Sequence, residues 1–292
     1  MSIFSQVLSV TVPVFGVAAM GYVFGRLSGR DMEAVNKINL NLFCPALLFY
    51  VLSEKIPSGG QWQATAWGAL IIVLGSALLA WPFARFSRMN VRAWAPSMMF
   101  NNSGNLGLPL AALAFGEGAL PLAVVTFVVS TSLHFSLGIW LVSGRLVPSL
   151  LLRNPIFLAT VAGMLAYAFD WHAPAIIMPG LEMLADVAIP LMLVALGVRL
   201  LDTDFSHWRA GLLGALLCPL SGVGAALLAI WWLQPGETVS KVLLLFSLMP
   251  PAVMNFIIAE QFRQSPDQVA SMVAIGNLAS LIIIPIGLAF IL

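Results

Sequence analysis

The chain has 292 residues, of which 60% are hydrophobic and 9% charged, with a formal net charge of +1. A soluble domain carries roughly 45–50% apolar and about 25% charged residues, so most of this surface must face lipid or other apolar helices. Near-neutrality excludes the clustered basic face of a nucleic-acid binder. Cys44 and Cys218, far apart inside apolar runs, suit neither a disulfide framework nor a zinc site.

The start of the chain has no basic segment ahead of its apolar run. That run is about twenty residues long rather than ten, which reads as a spanning helix and not a cleaved signal peptide. Counting about twenty apolar residues per crossing, the chain divides into candidate spans over 5–25, 33–53, 62–86, 93–115, 120–142, 154–171, 178–200, 208–234, 239–262 and 266–291. The loops are short and hold nearly all the charge, so no loop makes a soluble domain. Loops after odd-numbered spans hold Arg26, Arg30, Lys37, Arg85, Arg88, Arg92, Arg145, Arg153, Arg199, Arg209 and Arg263; the others hold Lys55 and Lys241. This asymmetry places the odd loops in the cytoplasm and both termini outside. The expected location is a cell membrane (inner or plasma membrane), crossed many times. Trp62, Trp81, Trp94, Trp231 and Trp232 fall at span ends, as interfacial anchors do.

The second half echoes the first at an offset of 145, which carries Tyr22 onto Tyr167, Phe24 onto Phe169, Pro45 onto Pro190, Pro121 onto Pro266 and Asn41 onto Asp186. Five spans per half is odd, so the second copy enters the membrane inverted. The expected fold class is all-α, with ten transmembrane helices in two inverted repeats over 1–144 and 145–292. Inverted repeats are a hallmark of alternating-access carriers, with the substrate near the midplane at the repeat interface.

The fourth span holds Asn101, Asn102, Ser103, Gly104, Asn105, Gly107 and Pro109 where the bilayer is deepest. Glycine weakens a helix, and Pro109 has no N–H to donate toward residue 105. Unwound backbone in hydrocarbon is tolerated only where protein encloses it or it lines a cavity. The half-helix beyond the break turns a positive dipole end inward, which suits an anion. Neutral asparagines can hold a ligand as donors or acceptors. The ninth span, with Pro250, Pro251 and Asn255, must break too. Paired interrupted helices in corresponding halves point to a binding site.

Other polar residues inside spans are ion-coupling candidates: Asp186, His134 and Asn277. For Asp186 the alternative is an acid near a helix N-terminus. For His134 it is a hydrogen-bonded structural histidine. Asn277 could face the break in the ninth span. No carboxylate pair stands at the midplane. His134, His172 and His207 lie in different elements, so neither a catalytic constellation nor a zinc motif is present and an enzyme is not expected.

At these residues the chain resembles the auxin efflux carrier family, whose plant members export auxin and whose bacterial members are linked to dicarboxylates such as malate and malonate. The likeness is carried by Asn36 to Pro45 and Phe49; by Asn102-Ser103 with Gly107-Leu108-Pro109; by Asp186 and Gly197; and by Met249-Pro250 through Phe256, Ala259 and Pro266-Asp267. It departs at Pro251 and Asn255, and in lacking the long central loop of plant members. The resemblance implies a fold of the bile-acid-symporter and NhaA kind. Spans one, two, six and seven would form a scaffold; three to five and eight to ten would form a transport domain with crossover helices four and nine, moving as an elevator. It also implies that Asn102 meets the substrate carboxylate, with Asn41 on the second span beside the site, and that scaffold helices pair into a homodimer.

The resulting expectation is a secondary carrier, an exporter of a small organic anion such as a dicarboxylate or an auxin-like carboxylate. It needs no cofactor beyond a coupling Na⁺ or H⁺. A sodium-coupled symporter of the bile-acid type is the alternative, followed by a membrane sensor or an intramembrane enzyme.

Overall fold

In hydrocarbon every backbone N–H and C=O must be satisfied within the protein, so helix is the default for a chain this apolar. A computed structural model describes residues 2–57, 59–86, 90–202 and 205–292; Arg88, used above to orient the chain, lies outside them. Among the described residues the regular structure is helical apart from one isolated antiparallel bridge, Asn101 to Pro251.

The helices in chain order are α1 (Ile3–Ser28), α2 (Glu33–Glu54), α3 (Gln61–Phe86), α4 (Val91–Met99), α5 (Ser103–Phe115), α6 (Leu120–Ser143), α7 (Pro148–Leu152), α8 (Pro155–Ala168), α9 (Met178–Arg199), α10 (Trp208–Leu233), α11 (Glu237–Ser247), α12 (Val253–Gln261) and α13 (Pro266–Ile291). Seven of them (α1, α2, α3, α6, α9, α10 and α13) are long and apolar enough to cross a membrane. The fourth and ninth expected spans are instead interrupted pairs, α4 with α5 and α11 with α12. The sixth is shorter than expected. Asn154 caps the N-terminus of α8 through Ile156 N–H, Pro155 follows, and Asp170 turns left-handed just past its end. That leaves 14 residues, about 21 Å of helix. Pro13, Pro82, Pro190, Pro219 and Pro285 lie inside helices that continue through them.

Small residues decide which helices pack. A Cβ on Gly197 would strike the Ala18 carbonyl, and one on Gly21 the Val194 carbonyl, so α1 and α9 touch backbone to backbone. A Cβ on Gly163 would lie 2.9 Å from Leu52 Cβ, which brings α8 against α2. One on Gly75 would lie 2.8 Å from Ala225 Cβ, where α3 meets α10. Close approach at glycine is how membrane helices gain packing energy when lipid supplies no hydrophobic drive. The helices form two neighbourhoods, α1, α2, α8 and α9 in one and α3, α4, α6, α10 and α13 in the other.

Two outcomes follow. Gly197→Val should lower stability by about 1–3 kcal/mol through overpacking, read as the unfolding midpoint in detergent. Gly16→Ala, with nothing within 4 Å of the added carbon, should be neutral or slightly stabilising. At the end of α2, an N–H of the exposed His172 reaches the Glu54 carboxylate at 3.0 Å, and Asp170 lies 3.5 Å from its other nitrogen. The hydrogen bond and charge of Glu54 raise the pKa of His172 above its ordinary 6.5. This contribution to stability is therefore complete below pH 6.5 and lost as pH rises through the raised folded value. His172→Gln should flatten the pH dependence of the midpoint on that alkaline side; an unchanged profile would dismiss the bridge.

Candidate functional site

The two interrupted helices meet at their breaks, residues 100–102 and 248–252. Asn102 N–H donates to the Pro250 carbonyl at 2.7 Å, and Ala252 N–H to the Phe100 carbonyl at 2.9 Å. Side chains complete the crossing reciprocally. Asn101 Nδ2 donates to the Phe246 carbonyl, and Asn255 Nδ2 to the Phe100 carbonyl at 2.8 Å. Each break thus caps the carbonyl end of the other, in a region where an unpaired polar group costs several kcal/mol. Asn102 Nδ2 reaches Asn277 Oδ1 at 2.8 Å, and Asn277 Nδ2 in turn reaches the Val273 carbonyl at 2.7 Å and the Pro251 carbonyl at 3.3 Å. This ties the crossing to α13.

The unwinding lies earlier than Gly104 and Pro109 implied. It occupies residues 100–102, and the chain resumes as a π-turn over Ser103–Gly107 with Pro109 already in the helix that follows. Gly104 and Gly107 act by closeness: an added carbon would lie 2.9 Å from the Phe127 ring or 2.9 Å from the Phe246 ring. Pro250 and Pro251 do lie in the second break.

Beside the crossing is a cavity of about 720 Å³, within the usual range for small-molecule sites. Asn101, Asn102, Ser103, Gly104 and Asn105 line it on one side, and Ala252, Val253 and Met254 on another. Both α5 and α12 begin there. First-turn N–H groups lack intrahelical acceptors, so the cavity receives two positive helix ends. Asn36, Asn39, Asn41, Ser130, Thr131 and His134 add to the polar lining, with Ser149 and Asn154. Glu33, Lys37, Arg153 and Arg199, three cations and one acid at the ends of α2, α8 and α9, line the cavity as well, and with Glu33, Lys37 and Arg153 exposed this end of the cavity is taken as its mouth.

π-turns occur at Asn39–Phe43, Ser103–Gly107 and His134–Gly138, and each supplies cavity residues. A π-turn adds a residue to a helix and often marks a functional site. His134 stacks on Phe100 with ring centroids 4.2 Å apart, and Gly138 leaves the room: a carbon there would lie 2.8 Å from Phe100 and 2.9 Å from the imidazole. Asn39 Oδ1 is buried with no hydrogen-bond partner among the described residues, and the buried side chains of His134 and Asn255 lie within hydrogen-bonding reach of each other.

Of the residues singled out in the sequence, Asn101, Asn102, Ser103, Asn105, Asn41 and His134 come together on this cavity. Asn41 is exposed and donates to the Lys37 carbonyl, whereas Asn39, which the sequence reading passed over, is buried. The spacing Asn36–Asn39 on one helix face was the available signal. Asn255, Asn277, Pro250 and Pro251 brace the crossing from behind. Gly107 packs on Phe246. Asp186 sits apart, exposed on α9 in the electrostatic surroundings of Tyr50. Arg153 and Arg199 entered the sequence reading only as topology markers.

The crossing makes separable demands on its asparagines. Asn255→Ala leaves Phe100's carbonyl with one donor fewer and should cost about 1–3 kcal/mol in thermal unfolding. Asn105→Ala, which faces the cavity, should leave the midpoint unchanged.

The sequence matches the family described as "Membrane transport protein" over residues 139–288, half of the chain. It is 29% identical to an "Uncharacterized transporter" of Methanothermobacter thermautotrophicus, covering 96% of this chain and 95% of that protein. It is 26% identical to a protein of Rhizobium meliloti bearing the name "Putative malonate transporter", over 94% of this chain and 93% of the other.

Proposed function

The chain belongs to the membrane transport protein family, that of the auxin efflux carriers, and on that premise we propose that it is a secondary carrier of a small organic anion bound in the cavity beside the two broken helices. The observation that carries this reading is that two helix N-termini and a set of neutral asparagines converge on one cavity whose mouth bears Lys37, Arg153 and Arg199. Helix N-termini attract carboxylates without binding them as tightly as a buried cation would. The cations at the mouth raise the local anion concentration. A dicarboxylate is the favoured cargo, because a carboxylate at each end would meet the α5 and α12 termini and the cationic mouth in turn. The name of the Rhizobium relative points the same way.

The mouth lies among loops that the positive-inside rule assigns to the cytoplasm, so the conformation reads as inward-open, with the substrate loaded from the cell interior. Ten spans in two inverted halves account for the packing. The offset of 145 carries Ala18 onto Gly163 and Leu52 onto Gly197. The contact of Ala18 with Gly197 thereby becomes that of Gly163 with Leu52, and both occur. A mirrored contact of this kind supports the inverted-repeat reading. In this reading α1, α2, α8 and α9 are the scaffold, the remaining spans carry the crossing as an elevator, and Na⁺ or H⁺ supplies the coupling.

The test is a thermal-shift screen of the purified protein against mono- and dicarboxylates with and without Na⁺, paired with transport in vesicles. A ligand at a hundred times its Kd should stabilise by about 2.7 kcal/mol. A dicarboxylate should shift wild type but not Asn102→Ala or Asn105→Ala, and both variants should lose transport while remaining folded. Normal transport in both would remove the cavity from the mechanism.

A further inference from the structure

A second cavity, of about 240 Å³, opens on the outer surface of the helix bundle between α1, α5, α9 and α13. Phe15, Ala19, Leu106, Leu196 and Leu281 give it an apolar lining. Its mouth lies among Tyr22, Val23 and Leu281, which are exposed on helices that span the membrane, so hydrocarbon is the phase it opens into. The inner end reaches Asn277 and Ser280 near the middle of α13. From there it extends along α1 toward the end of that helix. One turn beyond Tyr22 and Val23, on the same face, stands the exposed Arg26, in the last turn of α1.

We propose that this cavity holds an acyl chain of an anionic phospholipid, with the headgroup phosphate against Arg26. The chemistry divides by depth as such a lipid requires. A cation beside the membrane surface attracts anionic headgroups, and the apolar slot below it runs toward the bilayer centre. The slot lies where α1 and α9 meet α5 and α13, and its inner wall includes Leu106, one turn past Asn102, together with Asn277 itself. Asn102 lines the polar cavity and Asn277 the apolar one, and the 2.8 Å hydrogen bond between them is the partition. A bound chain therefore backs the residue pair that holds the crossing. The inference does not depend on which anion the carrier transports.

The full chain, reconstituted in phosphatidylcholine vesicles containing a photoactivatable phosphatidylglycerol with its reactive group near the chain end, reads this directly by mass-spectrometric mapping. Labelling should concentrate on Phe15, Ala19 and Leu281 over Leu158 and Leu165, which are exposed on the surface of α8. Ala19→Trp, which fills the slot, should reduce labelling of Phe15 by about tenfold, equivalent to about 1.4 kcal/mol of binding. Leu281→Trp is a second plug from the opposite wall. Unlabelled phosphatidylglycerol should compete better than phosphatidylcholine, and Arg26→Gln should remove that preference. Labelling no stronger at the slot than on α8 overturns the proposal. So does labelling unchanged in a plugged variant that keeps the wild-type unfolding midpoint, and so does equal competition by the two lipids.

Discussion

Unpaired backbone polar groups are forbidden in hydrocarbon, and the architecture around the two breaks follows from that constraint. A single interrupted helix would expose carbonyls at one end and N–H groups at the other. Two interrupted helices crossing at their breaks can cap each other, and here they do so twice over. Backbone donors run Asn102 to Pro250 and Ala252 to Phe100, while carboxamides run Asn101 to Phe246 and Asn255 to Phe100. The carbonyl ends are consumed inside the crossing, and the helix N-termini are left facing the cavity. The asymmetry on which the proposal of an anionic cargo rests is thus a by-product of how the breaks are satisfied.

The rest of the chain reads as support for that crossing. Gly107 and Gly104 let Phe246 and Phe127 close over α5, and a carbon on Gly276 would lie 2.7 Å from Pro251 Cδ, which shows how closely α13 follows the second break. The Asn102–Asn277 pair pins the first break to the same helix. Away from the crossing, glycine contacts at Gly21, Gly163 and Gly197 hold α1, α2, α8 and α9 tightly together. The cavity lies between these closely packed helices and those that carry the breaks.

Polar residues in such an apolar chain divide between cavity wall and architecture, and residue type does not tell which. Asn101, Asn102 and Asn105 fall within five positions of one another. Asn101 spends its donor on the opposite break, Asn102 holds α13, and Asn105 faces the cavity. Asp186, a charged residue in a span and so an obvious suspect, lies outside the cavity altogether. Asn39 is buried at the cavity wall one turn from Asn36 on the same face of α2, while Asn41, about 200° further round the helix, stays exposed.

The sequence alone determined that this is a helical membrane protein, where its long helices lie, and that the fourth and ninth apolar segments are interrupted. Those features are local: apolar run length, and glycine, asparagine and proline where the bilayer is deepest. Membership of a transport family was also legible, from short motifs along most of the chain. The tertiary structure decided where the breaks fall, which asparagines cap backbone and which face the cavity, and that Lys37, Arg153 and Arg199, from three separate segments, share one mouth. It also decided that a second, apolar slot stands behind the Asn102–Asn277 pair. Each of these depends on contacts between residues more than a hundred positions apart, such as Asn102 with Asn277, and no local pattern encodes such a distance.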